Sequence, residues 1–372
     1  MTGNFSSLFR KYLLPGFVFQ SVVIAGGYGT GREIIEYFLN YGPLGGLIGM
    51  VCVTTVLWSV ILAVTFEFAR TFSAYDYRTY FKLLLGRFWI IFEIFYLFAM
   101  LLVLAVVGSA AGVLLRDNFG LPYMAGVMVM LLGIGFLTFR GASIIEQFLA
   151  GWSIVLYITY AIVFIAAFMK FGSLIRDGFT NGDIRPGFVM GGFKYALYNF
   201  NIIAAVFFCL HHIETRKEAV LAGVLGGVIG IVPGLLFFVA VSGHFPDVLT
   251  EEIPMVYLLT QIGSPFLLTV IQLVIFGTLI ETGTGLIHAV NERIHSVYRE
   301  RGKELPRAMR PVTASLLIIA GLALSKFGLI NLIAKGYGAS SWGFLVIFVI
   351  PLFTIGIYKI MKASGTGEAG RQ

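Results

Sequence analysis

Charged residues are scarce in this sequence, and their scarcity decides its class. Asp, Glu, Lys and Arg make up 12% of the 372 residues, whereas soluble domains carry about 25%. Hydrophobic residues reach 58%, and the mean hydropathy is +0.90. The net charge of +7 does not indicate a nucleic-acid partner, because the basic residues lie between apolar runs and not in one cluster. We therefore predict a membrane protein whose surroundings are the lipid bilayer.

Cysteines and catalytic motifs are also few. Cys52 and Cys209 both lie inside apolar runs, and we interpret them as small core residues. The sequence has no Walker loop ending in Gly-Lys-Ser/Thr, no Cys-x-x-Cys pair and no Gly-x-Ser-x-Gly elbow. These absences argue against ATP-driven transport within this chain and against an enzyme. No metal is predicted either, since the adjacent His211 and His212 would point about 100° apart on a helix.

Apolar runs long enough to cross a membrane fill most of the chain. A membrane helix needs about 20 apolar residues, and we number the candidate runs spans 1 to 10. They cover residues 12–40, 44–69, 88–115, 121–139, 143–169, 190–212, 219–243, 265–293, 311–327 and 338–361. Most of the 26 Lys and Arg fall in loops on the same side as the N-terminus. By the positive-inside rule, both termini are expected in the cytoplasm.

Span 1 is interrupted by glycines. Four of the six residues from Gly26 to Gly31 are glycine, and each costs roughly 1 kcal/mol relative to alanine inside a helix. Thr30 followed by Glu33 fits a capping box, so a second helix is predicted to begin there. An interrupted membrane helix is tolerated where it is buried or lines a cavity, so the break predicts a binding site. The new helix start would attract an anion, and the carbonyls of the first half would attract a cation.

Span 6 carries a weaker interruption at Tyr198–Asn201, where asparagines flank a phenylalanine. With five spans in each half, the second half enters the membrane from the opposite side and becomes an inverted copy of the first. We therefore predict an all-α membrane protein of ten transmembrane helices, arranged as a five-plus-five inverted repeat with broken helices 1 and 6. The predicted first repeat covers residues 1–170, and an extracellular connection follows at 171–184. The second repeat and a cytoplasmic tail cover residues 185–372.

The glycine run also carries a family resemblance. The sequence Gly27-Tyr28-Gly29-Thr30-Gly31-Arg32-Glu33, followed by Tyr37-Phe38 and Gly42, resembles the first span of the YkvI-type bacterial membrane proteins. That family belongs to the amino acid–polyamine–organocation transporter superfamily, and nearly the whole chain resembles the LeuT-type fold. The resemblance implies a secondary transporter in the bacterial cytoplasmic (inner) membrane, with substrate and coupling ion between spans 1, 3, 6 and 8. It implies no particular substrate.

Span 8 holds the deepest predicted carboxylate, and a carboxylate near the bilayer centre costs roughly 2.5–3.5 kcal/mol. Four of its residues are spaced so that they share one helix face: Thr278, Glu281, Thr282 and Gly285. The candidates for an ion-coupling site are Gly26, Glu281, Thr282 and Thr284. The alternative is a hydrogen-bond network that only fixes helix packing. Sodium carriers of the LeuT type have an adjacent hydroxyl pair on span 8, but here Glu281 stands beside Thr282, so proton and sodium coupling both stay open.

Substrate-binding candidates lie on spans 1, 3 and 6: Gly27, Gly29, Thr30, Gly31, Glu93, Tyr96, Tyr198 and Asn199. We expect a substrate carboxylate at the Gly29–Gly31 amides and its ammonium near the carbonyls of the second break. Glu93 is expected to meet the substrate amino group or to titrate, and the alternative is a hydrogen bond to a neighbouring tyrosine or to a free N–H. Glu33 is explained by the capping box alone.

These features predict an ion-coupled secondary transporter of an amino acid or similar small zwitterion that works by alternating access. No cofactor is predicted apart from H⁺ or Na⁺ as the coupling ion. The alternative is a nutrient-sensing receptor subunit of the same fold, for which the basic segment Arg293–Arg310 would be a docking surface; positive-inside anchoring is the favoured explanation of that segment. A channel is disfavoured because nothing resembles a selectivity filter. The sequence leaves the substrate, protein partners and oligomeric state open.

Overall fold

The computed structural model describes residues 7–24, 27–139, 142–180, 182–300, 302–306 and 308–369, and the regular structure in these ranges is helical. Within these ranges, six helices are long and apolar enough to cross a membrane: Pro43–Thr71, Tyr77–Phe119, Val155–Thr180, Arg216–Ser242, Pro265–His295 and Leu329–Ser364. Two shorter apolar helices, Tyr123–Phe136 and Met309–Ser325, fall on predicted spans 4 and 9. The all-helical membrane class is confirmed, and the ten-helix repeat stays a prediction.

We keep the span numbers as names for the helical segments. Span 1 consists of a π-helical turn at Phe9–Leu13 and α-helices Leu14–Val23, Gly27–Thr30 and Arg32–Tyr37. A 3₁₀ turn, Leu39–Tyr41, leads into span 2, where π-helical Gly49–Thr54 joins Pro43–Ile48 to Thr55–Thr71. Spans 3, 4 and 5 are Trp89–Phe119, Tyr123–Phe139 and Ala142–Thr180.

The second half is built of similar segments. Span 6 begins as α-helix Phe188–Tyr198 and continues as 3₁₀ turns Asn199–Ala205 and Phe207–His212. Spans 7, 8 and 9 are Arg216–Ser242, Pro265–Glu300 and Met309–Ser325. Span 10 alternates α-helices Leu329–Asn331, Gly338–Phe344 and Ile357–Ala369 with π-helical Leu332–Tyr337, Leu345–Val349 and Leu352–Gly356.

Two short helices were not predicted, because neither sequence segment is an apolar run of membrane-spanning length. The helix Tyr77–Leu85 begins at Asp76, whose side chain accepts a hydrogen bond from the Thr79 amide at 2.9 Å. It buries an apolar face and leads into span 3 through a 3₁₀ turn, Gly86–Phe88. The helix Pro254–Ile262 follows a 3₁₀ turn, Asp247–Thr250, and precedes span 8.

The spans pack in two groups. Spans 1, 2, 6 and 7 pack against one another, and spans 3, 4, 8 and 9 form the second group. Span 5 lies against spans 7 and 8, and span 10 lies against spans 3 and 6. Each group therefore combines helices from both halves of the chain, and the surface between the groups runs through the middle of the protein.

Glycines on span 7 bring it into direct backbone contact with spans 1 and 2. A Cβ at Gly223 would overlap the Ala63 backbone, and one at Gly227 would lie 2.5 Å from the Ser59 amide nitrogen. On span 1, a Cβ at Gly16 would lie 3.0 Å from the Gly226 Cα atom. Small residues that allow such close approach are typical of helix contacts in membranes.

The bundle has two ends, which we name by their contacts. At the terminal end, Lys11 near the N-terminus binds Glu214 at 2.9 Å, and Lys359 near the C-terminus donates a hydrogen bond to the Leu83 carbonyl. At the opposite end, called the loop end, Arg32 donates a hydrogen bond to the Leu249 carbonyl at 2.7 Å. Their assignment to cytoplasm and exterior stays a prediction.

Candidate functional site

Span 1 breaks at Gly31, whose φ of +80° lies in the left-handed region that favours glycine. A Cβ at this position would also overlap the ring of Phe237 on span 7. Before the break, Gly27–Thr30 form a single helical turn where the sequence predicted an unwound segment. Gly26, the predicted carbonyl ligand, lies outside the described residues. Within the described residues, the interruption is confirmed at Gly31, and Gly27–Thr30 are helical.

The predicted capping box at Thr30 and Glu33 is wrong. Gly31 takes the N-cap position without a side-chain bond, although the helix does restart at Arg32 as predicted. The Thr30 hydroxyl accepts a hydrogen bond from the Arg32 amide at 3.2 Å. The Glu33 side chain points instead toward span 6, where its carboxylate accepts a hydrogen bond from the Tyr198 hydroxyl. Because only 4% of Glu33 is exposed, its carboxyl group lies inside the helix bundle.

The α-helix of span 6 ends at Tyr198 and continues as the 3₁₀ turns. The Asn199 side-chain amide donates to the Tyr195 carbonyl at 2.9 Å, which is the side-chain-to-backbone bonding expected of asparagine. The α-helix thus ends where the second interruption was predicted, but the chain continues as 3₁₀ helix and is not unwound there. A 3₁₀ helix keeps its backbone groups bonded, which an open segment in lipid would not.

Both interrupted spans border one cavity of about 220 Å³ between the two helix groups. Its polar lining comes from spans 1, 3, 6, 8 and 10: Glu33, Tyr96, Tyr198, Asn199, Asn201, Thr282 and Tyr337. Its apolar lining is Val22, Val23, Met100, Val103, Ile202, Ala205, Gly285, Leu286 and Ala289. Among these lining residues of the described chain, Glu33 carries the carboxyl group, and none is lysine, arginine or histidine.

Tyrosine rings form one wall of the cavity. The ring of Tyr198 stacks on that of Tyr337 with centroids 4.7 Å apart, and Tyr37 lies on another side of Tyr198 at 5.4 Å. The Tyr37 hydroxyl donates to the Ile333 carbonyl at 2.8 Å, within the π-helical turn that ends at Tyr337. Span 10 therefore contributes a cavity residue that no sequence motif indicated.

The predicted substrate residues divide into two sets. Tyr96, Tyr198 and Asn199 line the cavity. The glycine-run residues do not: Gly29 accepts a hydrogen bond from the Tyr160 hydroxyl at 3.0 Å, and Thr30 is fully buried. Gly31 packs against span 7, and the Gly27 backbone belongs to the single helical turn.

Glu93 lies outside the cavity, toward the terminal end. Its carboxylate binds Arg293 of span 8 at 3.0 Å. The Arg293 guanidinium also lies 3.9 Å from the ring centre of Tyr77 and 4.3 Å from that of Tyr96. Because Tyr96 also lines the cavity, this cluster packs directly against the site. The Glu93 carboxylate already forms an ion pair with Arg293.

The predicted ion-coupling residues of span 8 have different surroundings. Thr282 lines the cavity, and its hydroxyl donates to the Thr278 carbonyl at 2.9 Å. Glu281 is half-buried and interacts electrostatically with Tyr157 of span 5. The buried Thr284 hydroxyl has no hydrogen-bond partner among the described residues. The Thr278 methyl group faces Gly29, so span 8 does meet the interrupted part of span 1, as predicted.

Sequence reasoning missed most of the lining residues that the structure brings together, among them Glu33, Met100, Asn201 and Tyr337. A usable signal existed for Glu33, since an ionisable residue inside a membrane span is a functional candidate by default. The capping-box interpretation removed it from consideration. Asn201 belongs to the asparagine pair that indicated the second break, so its position carried the same signal as Asn199.

The chain is similar in sequence to a bacterial membrane protein. No known protein-family profile matches the chain. It is 24% identical over 337 residues to the uncharacterized membrane protein YkvI of Bacillus subtilis (strain 168), covering 86% of this chain and 89% of YkvI. The similarity to YkvI thus extends far beyond the glycine run, and the superfamily assignment stays a prediction.

Two solved structures share the arrangement of helices. The Eremococcus coleocola manganese transporter matches with a TM-score of 0.55 and 14% identity, over 93% of this chain and 78% of that one. A Na⁺-coupled sialic acid symporter matches with a TM-score of 0.50 and 12% identity, over 95% and 86% of the two chains. This chain shares the fold of these two membrane transporters, and at these identities the likeness extends to the fold alone.

Proposed function

We propose that this protein is an ion-coupled secondary transporter that carries an amino acid or similar small zwitterion by alternating access. The observation that supports it most directly is the cavity of about 220 Å³, bordered by both interrupted spans and lined by a buried carboxyl group. Interrupted helices that meet at a polar cavity are how transporters with internal repeats build their binding sites. The volume corresponds to about seven water molecules at ~30 Å³ each, which suits a small solute.

The two helix groups supply the moving parts of this proposal. The cavity lies between them, with spans 1 and 6 on one side and spans 3 and 8 on the other. Alternating access requires that one group rock against the other around a fixed site. We place the protein in a bacterial cytoplasmic membrane with both termini inside, as the distribution of basic residues predicts.

The coupling ion is proposed to act near Glu281, where spans 1, 5 and 8 meet. Gly29 of span 1 contacts Tyr160 and faces Thr278, and Glu281 follows Thr278 by one helical turn. A carboxylate here would take up a proton or join carbonyl and hydroxyl oxygens around sodium. The sialic acid symporter of similar fold is Na⁺-coupled, whereas the absent hydroxyl pair favours a proton here.

The test is uptake by purified protein in liposomes, with a proton gradient or a sodium gradient imposed separately and a panel of radiolabelled amino acids outside. Accumulation above the outside concentration, abolished by a protonophore or by dissipating sodium, is expected. Binding of a compound without any uptake would contradict a transporter and support the receptor alternative.

A matched pair of variants connects uptake to the cavity. Gly285 lines the cavity, and a Cβ added there would meet no atom within 4 Å, so Gly285→Phe places a ring in the site. Gly133 on span 4 is equally open but does not line the cavity. We expect Gly285→Phe to abolish uptake and Gly133→Phe to retain it. Equal activity of both variants would show that transport does not pass through this cavity.

A further inference from the structure

One carboxyl group dominates the electrostatics of the cavity. Glu33 is its acidic lining residue, and no lysine or arginine of the described chain forms an ion pair with it. The neighbouring Arg32 is directed to the loop end, where it binds Glu36 at 2.9 Å. A carboxylate buried in a membrane protein needs a bound cation or a proton to balance its charge.

Other polar groups of the cavity can accept hydrogen bonds from a bound compound. The Asn201 side-chain oxygen is buried without a partner among the described residues. The Tyr198 hydroxyl already donates to Glu33, so its remaining capacity is that of an acceptor. The stacked rings of Tyr198 and Tyr337 add aromatic surface, which attracts cations. An ammonium group offers N–H donors and a positive charge at once.

We propose that Glu33 is the substrate-binding group of this cavity and that it selects compounds bearing an organic ammonium group. This inference rests on the proposed transport function and specifies its substrate class. A divalent metal ion fits less well, because such ions take several carboxylate or imidazole ligands. Within the described residues, no group of three or more His, Cys, Asp and Glu side chains lies together.

The same carboxyl group cannot hold a proton and an ammonium group at once. The titratable side chains that face Glu33 are tyrosines: Tyr37 on its own helix, Tyr198 on span 6, Tyr337 on span 10, and Tyr96 across the cavity on span 3. Tyrosine hydroxyls ordinarily ionise only near pH 10. Glu33 is therefore the group whose protonation competes with the ammonium compound, and binding should weaken as the pH falls.

Three compounds of three carbons each test the charge selection: propylamine, alanine and propionate. Each is added at up to 100 mM to the full-length protein in detergent at pH 7.5, and the midpoint of thermal unfolding is measured. A ligand that binds the folded state raises the midpoint. We expect propylamine or alanine to raise it and propionate to leave it unchanged. Stabilisation by alanine would identify a zwitterion site, and stabilisation by propylamine alone would identify a site for amines.

Substitutions at two positions of one helix separate the role of Glu33 from that of its surroundings. Glu33→Gln keeps the shape and removes the charge, and we expect the affinity for the stabilising compound to fall at least tenfold. Glu33→Asp should restore part of it. The control is Glu36→Gln, one helical turn along. The Glu36 carboxylate binds Arg32 and does not line the cavity. We expect this variant to bind the stabilising compound with the wild-type affinity.

Several outcomes would overturn the inference. These are stabilisation by propionate, no response to either ammonium compound, or undiminished affinity in Glu33→Gln. Where Glu33→Gln does not purify as a folded protein, the wild-type protein decides: binding of the stabilising compound must weaken between pH 8 and pH 5, and pH-independent binding would contradict the proposal. Ion-driven uptake of a purely anionic compound would refute the ammonium site and leave the transporter proposal standing. Binding of an ammonium compound without uptake would refute the transporter proposal and leave the ammonium site standing.

Discussion

The Tyr198 hydroxyl donates a hydrogen bond to the Glu33 carboxylate and so joins the two interrupted spans directly. Tyr198 is the last α-helical residue of span 6, and Glu33 is the second residue of the helix that restarts after Gly31. Each side chain owes its position to a change in helix geometry. The bond therefore depends on the relative positions of the two breaks. A compound bound at Glu33 would interact with span 1 directly and with span 6 through Tyr198.

Replacement of Glu281 tests the coupling proposal. Glu281→Gln mimics a permanently protonated acid, so substrate binding and exchange should survive while accumulation driven by a proton gradient is lost. If Glu281 is a sodium ligand, the loss should follow sodium and leave the pH dependence intact. Uptake into liposomes under each gradient separates these results. Normal accumulation under both gradients would leave Glu281 with a packing role only.

Replacement of Gly31 tests the geometry of the first break. Gly31→Ala places a Cβ at a φ of +80°, which costs about 1–2 kcal/mol by backbone strain alone, and the new atom overlaps the Phe237 ring. We expect a lower midpoint of thermal unfolding in detergent and weaker ligand binding. The control is Gly133→Ala, in a helix with open space around it, which should unfold at or above the wild-type temperature. Equal midpoints for the two variants would contradict the assigned backbone conformation.

The cluster beneath the cavity predicts a structural role for Glu93, although the sequence made it a substrate-binding candidate. Arg293→Gln removes the ion pair and both aromatic contacts of a side chain that is only 10% exposed. We expect a loss of roughly 1–3 kcal/mol of stability. Glu93→Gln should cost less, because Arg293 keeps its contacts with Tyr77 and Tyr96. Unfolding in detergent measures both, and reduced affinity in a stable Glu93→Gln variant would restore Glu93 to the binding site.

His244 at the loop end predicts a dependence of stability on pH. Burial lowers the pKa of His244, and the negative charge of Asp247 opposes that shift without cancelling it. The imidazole packs edge-on against two rings, with centroids 4.6 Å from Phe171 and 5.6 Å from Tyr257. These contacts favour the neutral imidazole, because a charged ring would lose hydration in apolar surroundings.

The direction of this pH effect follows from proton linkage. A histidine whose pKa is lower in the folded than in the unfolded protein binds fewer protons when folded. The stability it contributes is therefore present above the unfolded pKa of about 6.5 and is lost as the pH falls from that value toward the folded pKa. The midpoint of thermal unfolding should fall between pH 7.5 and pH 5.5. His244→Phe keeps an aromatic ring and should reduce that fall, and an equal fall in both proteins would contradict the assignment.

The membrane class and the first helix break were predictable from the sequence, because both depend on the composition of a stretch of residues. The apolar runs predicted the membrane class, and the glycine density of Gly26–Gly31 predicted the first break. The helix Tyr77–Leu85 was not predictable by the same criterion, since it buries only one face. The type of the second break also depends on local bonding, which the Asn199 amide supplies in the folded chain.

The cavity was predictable only in part. Tyr198 and Asn199 were found because they lie at a break, and Tyr96 because it shares a face with a carboxylate. Glu33 was missed because the capping box explained it from local sequence alone. In the structure, the left-handed conformation of Gly31 directs the Glu33 side chain toward span 6. Tyr337 could not be found, since its place at the cavity depends on how span 10 packs against span 6.

The backbone contacts of span 7 have a mechanical consequence for span 1. Backbone atoms cannot relieve a contact by changing rotamer, so the half-helix Leu14–Val23 shares the displacements of spans 2 and 7. It acts as a lever about 15 Å long at 1.5 Å per residue, with its inner end at Val23 beside the cavity. By that geometry, a rotation of about 10° around the inner end would carry the outer end about 3 Å. A rotation of this kind would carry spans 2 and 7 along with span 1 and would displace the terminal end of the bundle further than the residues at the cavity.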